Sequence, residues 1–481
     1  MAKSIKRNFF YNILLNVSKV IFPLITAPYV SRVLEPDGIG LFNFANTYAN
    51  FLALVAALGV PYYGIREIAK ISGEKEKQTK FMSEIMSLTV ISTLICIVIL
   101  FFSLIFVPRL NENYIIFLVA SIVLYSTPFR IDWYYSGKED FGYITFRSLL
   151  LKTLSVFLLF FLVKNKDDLL AYVALFAVST AANDVWNFIK LYQSGIHPHI
   201  TISFKRHLKP LMLLFSSSIA LYVYTVLDTL MLGFMKDYTE VGYYNSATHI
   251  SKAMVPIVTS LAVVALPKVS QYKEKRQWKE INKLMNKSFS LVGFLSFPIA
   301  FGIMSVAPYF VPLFFGEQFY GTILPLQIII LTVVVIGFNN LTGIQILLGF
   351  GKDKLFLYSI VAGTITNIAL NLFLIPLLGA VGTAISAVCA EIVVLSIMLY
   401  FVYKTTPIRF VEFKEILVTI AISSLFFIIS QFVFSSYEGW KGVLLTIILC
   451  TIFYLLCQYF VKSPSERALL GLVIKKMRRY E

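Results

Sequence analysis

Apolar residues run along this chain in long, nearly unbroken stretches, without the two-residue alternation or narrow helical stripe of a water-soluble protein. About 20 mostly apolar residues cross a bilayer as one helix. About fourteen such stretches are legible, near 11–31, 41–63, 81–107, 114–131, 146–163, 169–190 and 211–235. They continue at 241–266, 288–307, 323–348, 355–375, 381–403, 415–434 and 441–461. The connections between them are short, and none is long or polar enough for an independent soluble domain. The pattern predicts an all-α polytopic membrane protein, because a bilayer tolerates only backbone that satisfies its own hydrogen bonds.

The pattern also repeats. A shift of 202 residues lays Ile39-Gly40-Leu41-Phe42-Asn43 over Val241-Gly242-Tyr243-Tyr244-Asn245, with Ala45 on Ala247 and Arg66 on Lys268. Six spans separate the copies, so both enter the membrane in the same orientation. The expectation is two six-helix bundles, 1–200 and 201–404, related by a pseudo-two-fold axis along the membrane normal. Two additional helices over 405–461 and a basic tail over 462–481 complete the chain.

Composition narrows the class. Of 481 residues, 58% are hydrophobic and only 14% charged, where a soluble domain carries about 25% charge. A soluble enzyme, a disordered chain and a secreted disulfide scaffold are excluded. The net charge of +16 gives no reason to expect a nucleic-acid partner, because a membrane accounts for it. With Lys3, Lys6 and Arg7 on the cytoplasmic side, the same side receives Lys75, Lys77, Lys80, Lys205, Arg206, Lys273, Arg276, Lys475 and Arg478. That positive-inside bias predicts two cytoplasmic termini and an even number of spans. The first segment has no small-residue cleavage site and reads as a permanent helix. Its Pro23 and Pro28 suit either a moving element or a static kink. Cys96, Cys389, Cys450 and Cys457 lie in apolar runs and read as buried small hydrophobes.

Polar residues inside the spans are the candidate chemistry. Asn43, Asn46 and Asn50 share a face of the second span, as do Asn245, Thr248 and Lys252 in the eighth, with His249 beside them. Asn12, Asn16 and Lys19 form a face of the first. Such groups need partners or water, so these faces point inward, either to bond other helices or to line a wet central cavity. Lys19 and Lys252 sit near mid-depth, where a charge costs about 2.5–3.5 kcal/mol on insertion scales. Arg32 stands at the outer mouth of the first span, and Lys152 lies near enough to an end to snorkel. A cationic site of Lys19, Lys252 and Arg32 would accept an anionic head group, while an ion-pair network is the structural alternative. Asp228 and Glu391 are then candidate counter-ions or ion-coupling carboxylates, and Asp184 lies nearer the cytoplasmic end of the sixth span.

No phosphate-binding GxxxxGK[ST] loop, HExxH or GxSxG is present, and no metal-ligand spacing. His197-Pro198-His199 has no third ligand nearby and reads as a solvated turn. Nothing points to an enzyme, a metal or a cofactor.

The stretch Pro23-Leu24-Ile25-Thr26-Ala27-Pro28-Tyr29-Val30-Ser31-Arg32-Val33-Leu34, followed by Gly38-Ile39-Gly40-Leu41-Phe42, resembles the opening of bacterial polysaccharide repeat-unit flippases of the Wzx type. Asp228-Thr229-Leu230-Met231-Leu232-Gly233, Asn367 to Asn371 with Leu374-Ile375-Pro376, and Gly379 to Ile385 with Glu391 continue the resemblance over nearly the whole chain. The group belongs to the multidrug/oligosaccharidyl-lipid/polysaccharide exporter superfamily. The resemblance implies paired six-helix bundles with alternating access in the bacterial plasma membrane. The implied substrate is an undecaprenyl-pyrophosphate-linked oligosaccharide, for O-antigen or capsule, moved from the inner to the outer leaflet. Polysaccharide polymerase machinery is an implied partner. Pyrophosphate would meet the cations, sugar the asparagines and tyrosines, and the lipid tail would stay in the bilayer, with the two C-terminal helices lining a groove for it. The mid-depth cations here are lysines, which act as point charges and not as bidentate forks.

Three rivals are weighed against this. A cation-coupled drug exporter would favour an acidic, aromatic cavity, against Lys19 and Lys252. A peptidoglycan-precursor flippase would carry a denser arginine cluster. A membrane polysaccharide polymerase would need a sizeable ionisable outer loop, and Pro308 to Thr322 holds only Glu317.

Overall fold

In the computed structural model, residues 5–201, 203–411 and 413–467 are described, and no strand occurs among them. The basic tail expected over 462–481 lies outside them from residue 468 on. Nine helices are long and apolar enough to cross a membrane among the described residues, with shorter apolar helices at Tyr114–Phe129 and Tyr224–Met235. Two of the nine contain a sharp break. Ile5–Ala57 breaks at Glu35, with φ 57° and ψ 174°. Asp353–Thr405 breaks at Gly379, with φ 54° and ψ −126°. The second break is a hairpin turn: a methyl on Gly382 would overlap the carbonyl of Leu374, and one on Gly363 would overlap the Val394 side chain.

Helix ends depart from the apolar runs where the backbone chemistry intervenes. The second run, expected over 41–63, stops as a helix at Ala57, since Leu58 and Gly59 take positive φ and Pro61 opens a new helix, Val60–Lys70. The run expected over 114–131 is cut into Tyr114–Ala120, Ile122–Tyr125 and the 3-10 turn Thr127–Phe129 around Pro128. Leu331–Asn339 continues as a π-helix over Asn340–Leu348.

Packing divides the chain into two compact units, Met1–Gly242 and Tyr243–Glu481. In the first, the helix 5–34 runs parallel to Phe141–Leu162, joined by hydrogen bonds from Thr145 to the Tyr11 carbonyl at 3.1 Å and from Tyr29 to the Val163 carbonyl at 2.7 Å. The helix 36–57 runs antiparallel to Lys75–Phe106, with Tyr48 donating to Ser103 Oγ at 2.7 Å and Ser92 to the Ala56 carbonyl at 2.5 Å. Lys205–Met235 also belongs to this unit. A second core, built on Ile281, Met285, Val292, Val333, Leu341, Met398 and Val402, organises the second unit. The last two membrane helices dock on Trp278–Phe315 there. Tyr454 donates to the Phe294 carbonyl at 2.7 Å, and Asn282 and Asn286 clamp the backbone of Arg409 and Val411 at 2.7–2.9 Å.

Candidate functional site

The polar face expected on the second span exists as a packed feature of the first unit. Asn43, Asn46 and Asn50 are half-buried. Asn43 Nδ2 donates to the Ile39 carbonyl at 2.9 Å, and Asn50 Nδ2 donates to Asn46 Oδ1 at 2.9 Å and to its carbonyl at 2.8 Å. Each bond runs along the helix to the preceding turn; those to the Ile39 and Asn46 carbonyls fix the amides of Asn43 and Asn50 on their own helix backbone, and the third links the Asn50 and Asn46 side chains. A carboxamide has two N–H groups and an oxygen, so one such bond uses only part of its capacity. Arg32 is exposed and donates to the Pro28 carbonyl at 3.0 Å. Lys19 lies on the same helix as Arg32, but its side chain is outside the described residues. Lys152, expected to snorkel, instead turns onto that helix, with Nζ 3.3 Å from Ser18 Oγ and 5.8 Å from the Phe22 ring centre.

In the second unit, Asn245, His249 and Lys252 stand on one face of Tyr238–Glu274 at i, i+4 and i+7. Asn245 is half-buried, and His249 and Lys252 are exposed. The opposite face, with Tyr244, Ala247, Thr248 and Ser251, is the buried one. Thr248 therefore belongs to the packed side rather than to the stripe with Lys252. Of the two candidate carboxylates, Asp228 is half-buried on Lys205–Met235. Glu391 accepts a hydrogen bond from Asn339 Nδ2 at 2.6 Å. Asn339 ends the helix that turns into the π-segment, so the carboxylate is held where the backbone changes pitch.

Three charged networks lie in the first unit; the sequence marks only Asp184 among their members as a charge inside a span, with an ion-pair network as one alternative. Arg147, 2% exposed, donates through Nε to Asn183 Oδ1 at 3.0 Å and through the terminal nitrogen Nη2 to Asp132 Oδ1 at 2.8 Å. It also bonds Asn187, which itself donates to Asp132 at 2.9 Å. Asp184 is 3% exposed; it accepts from Ser126 at 2.7 Å and pairs with Arg130 at 3.3 Å. Buried Glu84 gathers Arg206 at 2.5 Å and His207 Nε2 at 2.7 Å, and the other ring nitrogen of His207 meets the Tyr63 hydroxyl at 2.7 Å. The connector that follows Gln193 is fastened to the helix Lys75–Phe106 as well. The backbone N–H groups of His199 and Thr201 donate to Ser83 and Ser87 at 3.0 and 2.9 Å. Only adjacency across helices separated by dozens of residues creates these sites, so no local spacing announces them.

All four cysteines are free thiols, Cys96 and Cys450 buried and Cys389 and Cys457 partly so. Among the described residues no three His, Cys, Asp or Glu side chains group to hold a metal ion.

Comparison with known proteins fits this architecture. The family described as "Polysaccharide biosynthesis protein" matches residues 5–273, and the MatE family matches residues 214–373. A "Putative O-antigen transporter" of Escherichia coli (strain K12) is 25% identical over 405 residues, 83% of this chain and 97% of that protein. Its namesake from Shigella dysenteriae is 23% identical over 82% of this chain and 99% of its own. Among solved structures, "Lipid II flippase MurJ, inward closed conformation" superposes with a TM-score of 0.74 at 15% identity, covering 94% of this chain and 99% of that one. That likeness establishes the all-α transporter fold. The family match covers more than half of the sequence, and with the transporters just described it identifies the chain as a member of the polysaccharide biosynthesis protein family, a Wzx-type membrane flippase of the multidrug/oligosaccharidyl-lipid/polysaccharide exporter superfamily.

Proposed function

We propose that this flippase moves an undecaprenyl-pyrophosphate-linked oligosaccharide from the inner to the outer leaflet of the bacterial plasma membrane by alternating access. The observation that carries the reading is the recurrence of an asparagine at matching places of the two repeats, Asn43 and Asn245, each on an inward-reading polar face. Cations stand on the opening helices of both repeats, though not at matching positions: Lys19 and Arg32 with Asn43, Asn46 and Asn50 in one, and Lys252 with Asn245 and His249 in the other. Cations in a low-dielectric setting suit a pyrophosphate, and carboxamides suit sugar hydroxyls. Asp228 and Glu391 are assigned to balancing or ion coupling. The assignment takes fourteen spans, two six-helix repeats with two further helices, and both termini in the cytoplasm, as the distribution of Lys and Arg requires. Relatives described as O-antigen transporters support the substrate class.

The test is leaflet-resolved labelling of lipid-linked oligosaccharide in cells depleted of the protein and lacking the downstream polymerase. Loss of outer-leaflet label with accumulation inside is the expected result. Single repeat units that still reach the outer leaflet at the normal rate would overturn the assignment.

A further inference from the structure

Two guanidinium groups and two carboxylates stand together inside the first unit, and the transport reading uses none of them. Arg147 and Asp184 are enclosed, whereas the side chains of Arg130 and Asp132 are 27% and 46% exposed. Both exposed groups follow the turn Thr127–Phe129, where Pro128 ends the fourth apolar run, and Asp132 opens the short helix Asp132–Gly137. A carboxylate turned towards hydrocarbon is costly, so the open side of Asp132 faces water.

Each exposed group is held by an enclosed one and keeps bonding capacity to spare. Asp132 Oδ1 accepts from Arg147 Nη2 at 2.8 Å and from Asn187 Nδ2 at 2.9 Å, while Oδ2 has no hydrogen bond among the described residues. Arg130 donates through Nε to Asp184 at 3.3 Å and through Nη2 to the Val123 carbonyl at 3.0 Å, and Nη1 donates to none of the described residues. Half-buried Asn183 accepts from Arg147 Nε at 3.0 Å and donates to the Ser179 carbonyl at 2.9 Å, which leaves one of its two N–H groups. Side chains fixed in this way from behind are preorganised for whatever meets them in front.

The charges decide the class of ligand. Arg130 and Arg147 are balanced by Asp132 and Asp184, and the neighbouring pair of Lys190 and Asp140, 3.5 Å apart, also cancels. A phosphate calls for surplus cation, and this cluster has none. It offers an acceptor and two donors side by side, which hydroxyl groups, each donor and acceptor at once, can fill. We infer that Asp132, Arg130 and Asn183 form a glycan-binding subsite that reads sugar hydroxyls, with Arg147 and Asp184 as positioning residues. The inference rests on the proposed function for the glycan and for the cytoplasmic side on which the subsite opens. It deepens that reading by separating sugar selection from the cations assigned to pyrophosphate. A site built to hydrogen-bond a hydroxyl also rejects a sugar that lacks it.

The probe is the repeat-unit oligosaccharide of the host cell, released from its lipid by mild acid. Its binding to the full chain in nanodiscs is titrated by saturation-transfer NMR. The parent should bind it, and inorganic pyrophosphate should not displace it. Asp132→Asn keeps an oxygen for Arg147 and should weaken binding about tenfold at an unchanged melting temperature, through loss of a charged acceptor. Arg130→Lys keeps the charge beside Asp184 without the planar fork and should weaken binding as well. Tyr459→Phe, on the last membrane helix, should bind as the parent does. No binding by the parent, displacement by pyrophosphate, or parental affinity in both Asp132→Asn and Arg130→Lys overturns the subsite. Weakening only in step with a lower melting temperature makes the cluster structural and also overturns it. If Asp132→Asn does not fold, Arg130→Lys decides alone. Leaflet labelling in depleted cells judges the transport reading separately. Binding lost in the variants of a protein that cells do not need for flipping refutes the function and keeps the subsite. Transport by the parent with unaltered binding in the variants does the reverse.

Discussion

Arg147 is where the cost of a buried charge can be worked out residue by residue. Its guanidinium reaches Asn183, Asn187 and Asp132 from a fully enclosed position, whereas the Asp132 side chain is 46% exposed. Arg147→Met keeps the length of the side chain and removes every donor. The two amide oxygens each lose a charge-assisted partner in a buried setting, about 1–3 kcal/mol apiece. Asp132 regains water, so its loss is about 0–1 kcal/mol. Relief from desolvating the guanidinium offsets part of this, leaving a net destabilisation of about 2–4 kcal/mol. The assay is equilibrium unfolding in mixed micelles of purified Arg147→Met, Asn187→Leu and the double variant. The double variant should lose clearly less than the sum of the two singles, with a coupling of about 1–3 kcal/mol. Additive losses, or an Arg147→Met protein as stable as the parent, would refute the account of this network.

Three other outcomes are expected. Lys19→Ala and Lys252→Ala should insert normally yet impair glycan export, the double variant most; full export at normal abundance would remove the cationic site. Asn286→Ala removes the two bonds that Asn286 makes to the Arg409 carbonyl and the Val411 N–H, leaving only Asn282 on the Arg409 N–H, and should lower stability by about 1–3 kcal/mol, with faster proteolysis of the 406–411 connector as the readout. Tyr454→Phe deletes a buried hydroxyl bonded to the Phe294 carbonyl and should cost about 1 kcal/mol in unfolding measurements, while Tyr459→Phe on the exposed side of the same helix should cost nothing.

The apolar runs made the helices legible because bilayer thickness sets their length, and the 202-residue repeat made the two opening hairpins legible. Boundaries failed where backbone chemistry outranks hydropathy. At Leu58 and Gly59 the chain turns inside an apolar run, and at Pro128 a single run shatters into short turns. Asp184 reads from the sequence as a charge toward the cytoplasmic end of its span with an ion pair as one alternative, but its partner, Arg130, lies 54 residues away and no spacing announces it. Arg147 escaped notice because its acceptors sit 15 residues before it and 36 and 40 after, on other helices. The amide stripe of Asn43, Asn46 and Asn50 was readable because all three lie on one helix, where periodicity does report neighbours. Thr248 was misplaced among the polar face of its helix, since i+3 and i+4 positions fall on either side of a stripe and packing alone decides between them.

The fastening of the connector has a practical meaning for recombination between relatives. A natural-looking crossover falls at the repeat boundary, near residue 200. There it would separate Glu84 from Arg206 and His207, Ser87 from Thr201, and Arg109 from the carbonyls it clasps at 233 and 236. Each parent contributes such pairs as a matched set, so a hybrid joined there inherits halves of several locks. A junction after Gly242 keeps every one of these sets within a single parent. Chimeras made to exchange glycan preference between homologues should therefore be spliced inside the opening turn of the second repeat, some forty residues later than the sequence symmetry suggests.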